Sequence, residues 1–360
     1  MRRSALRSTE AIVLVLATLM LVAGCTLFPS DQPGSDTTQG TGGATQPGTI
    51  GTCPSGLEGT SVATADELVD AAASAAAGTV IVLAAGTYSG EFTLTGSGEE
   101  TNGITLCGPR EAVLDGGSTG DGYTLHLQDA RFWTLSGFSV TGGQKGVMLD
   151  GSSNNTISGL RISDVGDEAL HLRAHSTGNL LENNEISTTG LNSAAFGEGI
   201  YIGSAQSNWC SYTGCEPDRS DNNRIIGNTI SATTSENIDV KEGTSGGEIR
   251  GNTFDGAGAT DADSLIDIKG TNWVIADNTG IHSPVDGAQV HVITELPGSG
   301  NTFTGNTFTV AADGVAINVV GAARDANNRV ACSNTVISDG SPGNAAGAAA
   351  RLSNLPCVTS

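Results

Sequence analysis

Eight short strings recur along this chain: TLHL, GVML, ALHL, GIYI, NIDV, LIDI, QVHV and AINV. In each, apolar residues flank one variable position. The variable positions are His126, Met148, His171, Tyr201, Asp239, Asp267, His291 and Asn318. Successive side chains of a strand point to opposite faces, so the flanking Leu, Ile and Val turn one way and the variable residues the other. The spacings between variable positions are 22, 23, 30, 38, 28, 24 and 27. A period in the low to middle twenties, lengthened here and there by outward insertions, signals a solenoid whose coils stack to bury a common apolar face.

A second string follows most of the first: ISGL, LENNEI, IIGNTI, IRGNTF, IADNTG, FTGNTF and ACSNTV. It aligns Asn184, Asn228, Asn252, Asn278, Asn306 and Asn334. Asn commonly occupies turns, and one in the same place on six successive coils predicts a ladder in which each amide bonds the coils above and below. Upstream, Thr64 with Glu67 three residues on has the form of a capping box, so a short helix is expected from Thr64 through the following Ala-rich run, with strands near Val80–Leu83 and Phe92–Leu94. A terminal element of this kind covers the open end of a solenoid. Glycine reaches 51 of 360 residues and aromatic residues only 4 %. That suits closely turned β coils better than a conventional core.

The first residues read as an address. Arg2, Arg3 and Arg7 precede a 13-residue apolar run, Ala11 to Ala23, which is too short to span a bilayer. It ends in Leu21-Val-Ala-Gly-Cys25, which resembles the bacterial lipoprotein lipobox. The resemblance implies cleavage before Cys25, lipid on that residue, and a protein held to a membrane outside the cytoplasm. Residues 1–24 are then a signal peptide, and residues 25–58 a Gly-, Thr- and Pro-rich tether with too little apolar surface to order itself. Its stretch up to Cys53 would span roughly 26–31 Å as a random coil. Residues 59–360 form the β domain, expected to be a monomer.

The formal charge is −22, and loss of three Arg and one Glu with residues 1–24 leaves −24. A nucleic-acid partner is excluded by that balance, because phosphate binding needs a basic face. Six Cys remain after Cys25, an even number in an exported chain, so disulfides are expected. Spacing favours Cys210 with Cys215, Cys332 with Cys357, and Cys53 with Cys107. No Cys/His cluster has zinc-site spacing.

Taken together, the cap helix, the segment Gly86-Thr-Tyr-Ser-Gly-Glu-Phe92, Val113-Leu-Asp-Gly-Gly117 and the Gly-Asn-Thr strings resemble the right-handed parallel β-helix superfamily of secreted polysaccharide lyases. The resemblance spans about residues 59–340 and implies an all-β, single-stranded right-handed parallel β-helix. Such a scaffold hosts many chemistries, so activity has to be read from the outer face.

On that face one column reads His171, Tyr201, Asp239, Asp267 and His291. Two residues on, the same face carries Arg173, Gly203, Lys241, Lys269 and Ile293. Three residues before the column lie Glu168, Glu198 and Glu236, in the preceding turns because an odd offset breaks the alternation. Charge is thus concentrated in the middle coils, with Met148 and Asn318 beyond it and His126 a structural, off-centre residue. Like charges as close as Glu198, Glu236 and Asp239 raise one another's pKa or share a cation, and hard oxygen ligands favour Ca²⁺. The segment Glu236-Asn-Ile-Asp-Val-Lys241, followed by Gly251-Asn-Thr-Phe254, resembles the alginate lyase and chondroitinase B family. That resemblance implies Lys241 as the base that removes a uronate C5 proton, Glu236 and Glu198 on Ca²⁺, and Lys269 where the family has an Arg.

Lys241 beside Asp239 and Lys269 beside Asp267 read equally well as surface ion pairs. The loop Ser204–Asp221 carries Trp209 and Tyr212, either stacking on sugars or folding Trp209 onto the coil. Three functions follow. The first is a Ca²⁺-assisted lyase acting on a uronic-acid-containing polysaccharide, with Lys241, Lys269, Asp239, Asp267, His291 and Tyr201 as catalytic candidates and Arg173, His171, Trp209 and Tyr212 on the substrate. The second is a glycoside hydrolase using Asp239 and Asp267. The third is a non-catalytic carbohydrate-binding protein of the cell surface.

Overall fold

Burial of the repeated apolar residues is what closes the coils. Ile200 and Ile202, Ile238 and Val240, and Ile266 and Ile268 are all fully buried, and they stack in register on adjacent parallel strands. Their sheet has ten strands, and two further parallel sheets of eleven and ten strands complete the coil, giving a solenoid of about ten turns. In one turn the chain runs through Ile238–Val240, Glu248–Arg250 and Thr253–Asp255, each strand in a different sheet. The structure is a computed structural model that describes residue 53 and residues 57–294, 298–340 and 350–359. The leader and the lipidation site Cys25 lie outside the described residues, as does nearly all of the expected tether.

The Gly-Asn-Thr strings make the corner between the second and third strands. Gly227, Gly251 and Gly305 sit at φ of 66°, 65° and 67°, a left-handed conformation that glycine adopts without steric cost. The Asn that follows is buried and forms the expected ladder. Asn252 Oδ1 accepts from the Asn228 backbone N–H and amide, and its own amide donates to Ile225 O and Asn278 Oδ1. The same pattern joins Asn184, Asn278, Asn306 and Asn334.

A second, unexpected ladder runs along another corner through Asn155, Asn179 and Asn223 and resumes at Asn301 and Asn328. Between them the buried indole of Trp273 fills the place of a side chain at Gly247, where a Cβ would lie 2.2 Å from the ring. Each buried amide left without its partners would cost about 1–3 kcal/mol per orphaned group.

A nine-residue helix, α1 (Ala65–Ala73), covers one end of the solenoid. Thr64 caps it by accepting the Glu67 N–H, while the Glu67 carboxylate accepts from Ala63 N–H. Leu68 and Ala72 bury its inner face against the first strands. Tyr88, in the segment after Gly86, buries its ring and donates its hydroxyl to Val62 O and Ala84 O. The expected strands at Val80–Leu83 and Phe92–Leu94 form as read. All three disulfides pair as expected: Cys53–Cys107, Cys210–Cys215 and Cys332–Cys357.

The seventh repeat is shifted by two residues from its sequence reading. Its strand is Asp286–Val290, and Gln289, not His291, stands beside Asp267 and Asn318. The inward pair is Ala288 and Val290, both fully buried. Small Ala288 hid the repeat, and the larger Val292 drew the alignment past it. His291 therefore joins the column of Lys241 and Lys269, where Ile293 was expected, with its N–H donating to Ile268 O.

Candidate active site

The outer face of the ten-strand sheet brings the charged columns together as the registers require. Tyr201 lies beside His171 on one side and Asp239 on the other. The Lys241 Nζ sits 4.7 Å from the centroid of the Tyr201 ring, and the His171 and Tyr201 ring centroids are 4.5 Å apart. The Tyr201 hydroxyl has no protein hydrogen bond among the described residues. Burial, followed by the charges of Asp239 and Glu198, pushes its pKa well up, so the phenol keeps its proton.

Asp239 gives both oxygens to lysines: Oδ2 lies 2.5 Å from Lys241 Nζ and Oδ1 2.9 Å from Lys269 Nζ. Lys269 also reaches Asp267 Oδ2 at 2.5 Å. Burial would push the Asp239 carboxyl up, but Lys269 and Lys241 outweigh it and hold the group below its ordinary value. For Lys241 the balance is reciprocal: burial works against the ammonium, and Asp239 more than restores it. His291 Nε2 stands 2.8 Å from Gln289 Oε1 and 3.6 Å from Asp267 Oδ1. The pairings Lys241–Asp239 and Lys269–Asp267 are therefore real, but they are mostly buried rather than solvated surface pairs. Lys269 is locked between two carboxylates.

Glu168, Glu198 and Glu236 each lie in the turn just before a strand of this sheet. Glu198, Glu236 and Asp239 each bring an oxygen to within 4.8 Å of the others. Glu198 is buried, and its Oε2 has no hydrogen-bond partner. Burial and then the Asp239 charge push Glu236 up to about 7, and the same two causes raise Glu198 well above its ordinary value. Neither glutamate forms an ion pair with a cationic side chain among the described residues. With Asp239 and Asp267 they make four carboxyl groups around two ammonium groups. A hard divalent cation fits this donor set: it would satisfy the orphaned oxygen and balance the surplus charge.

On the preceding coils the charges are matched. Asp150 bonds Arg173 through both oxygens, at 2.6 and 3.1 Å, and His126 at 3.0 Å. Burial raises its pKa, but His126 and Arg173 win and hold it at about 2. Glu168 pairs with Lys145 and lies 3.3 Å from His171 Nδ1, which likewise overcome burial and hold it at about 2. Burial keeps His171 below the ordinary imidazole value. Asp150, Lys145 and Tyr123 belong to this face although the repeats single out none of them. Asp150 is readable from the repeat, since it stands two residues after Met148 and so falls in the column of Gln128 and Arg173.

Among the substrate-side candidates, Arg173 and His171 line an open cleft of about 280 Å³ together with Tyr201, Tyr212 and Phe196. Trp209 does not. Its indole is buried, donates to Ser204 O at 2.9 Å and packs towards Gly243. The ring is larger and more apolar than Tyr212 and gains more from burial, so the loop folds it onto the coil and leaves Tyr212 outside.

The chain matches the family model described as "Pel9A-like, right handed beta helix region" over residues 53–334. Among solved structures it is similar to an alginate lyase from Paenibacillus sp. str. FPU-7. The identity is 37 %, the match covers 81 % of this chain and 96 % of that one, and the TM-score is 0.72. It is also similar in fold to the pectate lyase Pel9A, at 14 % identity and a TM-score of 0.56, over 81 % of this chain and 83 % of that one. No curated protein matches the sequence.

Proposed function

This chain belongs to the Pel9A-like right-handed β-helix family, and from that premise we propose that it is a polysaccharide lyase cleaving a uronic-acid polymer, alginate first among them, by β-elimination. The observation that carries the reading is the approach of Lys241 Nζ to the Tyr201 ring beside the carboxyl cluster Glu198, Glu236 and Asp239. The likeness to an alginate lyase at 37 % identity supports the choice of polymer.

In the reaction Lys241, once its own ammonium has lost a proton to solvent, takes the proton from C5 of the uronate. The electron pair left on C5 forms the C4–C5 double bond, the bond from C4 to the glycosidic oxygen breaks, and Tyr201 returns a proton to that oxygen. Tyr201 is the candidate donor by position: its ring centroid lies 4.7 Å from Lys241 Nζ, and its hydroxyl has no protein hydrogen bond among the described residues. Lys269 is held by Asp239 and Asp267, so it acts as a fixed positive charge. Glu198 and Glu236, with Asp239, would hold Ca²⁺. Bound there, the ion would supply positive charge against the substrate carboxylate and draw on Asp239, loosening its hold on the Lys241 proton. Such a cation also answers how a chain of charge −24 accepts a polyanion. A hydrolase reading would need Asp239 and Asp267 free for substrate, and both are buried and tied to Lys269. We further propose that the protein acts at the cell surface, tethered through Cys25.

The test is incubation with alginate, pectate and chondroitin, with and without Ca²⁺, while the ultraviolet absorbance of the unsaturated product is followed. Absorbance that rises with alginate and disappears in Lys241→Ala supports the reading. New reducing ends without absorbance would replace it with hydrolysis.

A further inference from the structure

The cleft beside Tyr201 has two unexplained features: rings that no core contact accounts for and a cation with a free edge. Phe196 ends the loop before the strand Ile200–Ile202, and Tyr212 comes from the loop after it. They are 56 % and 42 % exposed, yet both line the same cleft. Tyr212 is held in place from several sides. It closes the four-residue helix Trp209–Tyr212, whose Trp209 is buried, and the Cys210–Cys215 bridge pinches the turn behind it. Buried Asp218 then fastens this loop to the neighbouring coil, accepting from Ala174 N–H, His175 N–H and the Ser204 hydroxyl. The ring is thereby set over the Arg173 guanidinium, 3.9 Å from Cζ to the centroid. Arg173 gives Nε and Nη2 to Asp150 and Tyr123, and its Nη1 has no protein partner among the described residues. Asp167, at the rim, is occupied by Gln144 and Asn192.

An open space flanked by two aromatic rings, with a guanidinium edge on its floor, suits a ligand with an apolar ring face and an anionic group at its edge. A pyranose carrying a carboxylate has that chemistry. We propose that this cleft is a subsite for a uronate residue adjoining the one that undergoes elimination, with Phe196 and Tyr212 against the sugar and Arg173 Nη1 on its carboxylate. The subsite rests on the reading of the neighbouring site as a uronate lyase, and it adds binding contacts to a sugar beside the one that loses its C5 proton.

The experiment is calorimetric titration of an alginate hexasaccharide into the Tyr201→Phe variant, which retains the ring but has no proton to donate. Adding Tyr212→Ala or Phe196→Ala weakens binding about five- to tenfold, in the range of a buried aromatic anchor. Tyr212→Phe keeps the affinity, and so does Leu191→Ala, an exposed residue of the Phe196 loop outside the cleft. Unchanged affinity in both aromatic variants overturns the subsite, as does an equal loss in Leu191→Ala or a parent that binds no hexasaccharide. The two readings fail separately. Cleavage that survives Lys241→Ala while the aromatic variants bind weakly removes the proposed chemistry and leaves the subsite. Cleavage lost in Lys241→Ala with aromatic variants of full affinity removes the subsite alone.

Discussion

On the coils before Tyr201, Asp150 lies between Arg173 and His126, and Glu168 between Lys145 and His171. On the coil of Tyr201 and the next, Glu198 is buried and Glu236 half-buried, and neither is ion-paired among the described residues. Burial pushes all four carboxyls the same way. Neighbours decide the outcome, and it is opposite: about 2 for Asp150 and Glu168, about 7 for Glu236. In the matched region every carboxylate just named has its cation and only the Arg173 edge is left over, whereas Glu198 and Glu236 have no ion-pair partner among the described residues. One sheet thus carries a region of matched charge and, on the adjoining strands, the proposed reactive region, and charge balance rather than burial tells them apart.

The contrast breaks most sharply if the unmatched region is not the reactive one. Lys241→Ala should lower the elimination rate by about 10³-fold, the scale of a lost general base, measured as unsaturated product from alginate. A rate within a few-fold of the parent would move the chemistry elsewhere. In the matched region the expected loss is of stability. Asp150→Asn leaves Arg173 buried beside a neutral amide, and should cost about 3 kcal/mol in urea unfolding. A change under about 0.5 kcal/mol would mean that the pairing is no more than surface decoration.

Smaller effects sharpen the comparison. Ca²⁺ at a hundred times its dissociation constant should stabilise the parent by about 2.7 kcal/mol, read as a rise in melting temperature. Glu198→Gln should abolish that rise, while Asp150→Asn should keep it. A rise that persists in Glu198→Gln would place the ion elsewhere. The smallest expected effect is in pH. Glu236 has a folded pKa raised above its unfolded value, so its contribution is fully present below about pH 4.5 and is lost as pH rises through about 7. In chelator, Glu236→Gln should match the parent at pH 4.5 and exceed it by about 1–2 kcal/mol at pH 8. Asp150 and Glu168, depressed instead, stabilise the fold above pH 4 to 4.5, and that support should fade as pH falls towards about 2. A parent whose stability is flat across both windows would erase the distinction between the regions.

Much of this was legible in the sequence because a solenoid repeats its physics. Period-two burial named the inward residues, and the Gly-Asn-Thr corners named one ladder. The register of Tyr201, Asp239 and Asp267 followed, and with it the proximity of Glu198, Glu236 and Asp239. The misreadings came where side-chain size or loop geometry overrode the pattern. Ala288 is too small to announce a buried position, so His291 was placed in the wrong column. Trp209 and Tyr212 are three residues apart in one loop, and only packing decides that the first is buried and the second exposed. Phe196 lies outside the repeated strings, in a loop whose course the strand pattern does not fix. The second Asn ladder has no regular spacing in the sequence, because Gly247 and Trp273 interrupt it.

The ladder corner has an evolutionary consequence. Asn184 and Asn228 are separated by 44 residues and Asn228 and Asn252 by 24, yet the rungs close at 2.9 and 2.8 Å. The surplus of the longer coil leaves on the side of the groove and returns without disturbing the rung. A chain built this way can rewrite the rim of its groove, loop by loop, at constant register. Specificity can then drift between polymers while the coils beneath stay as they are.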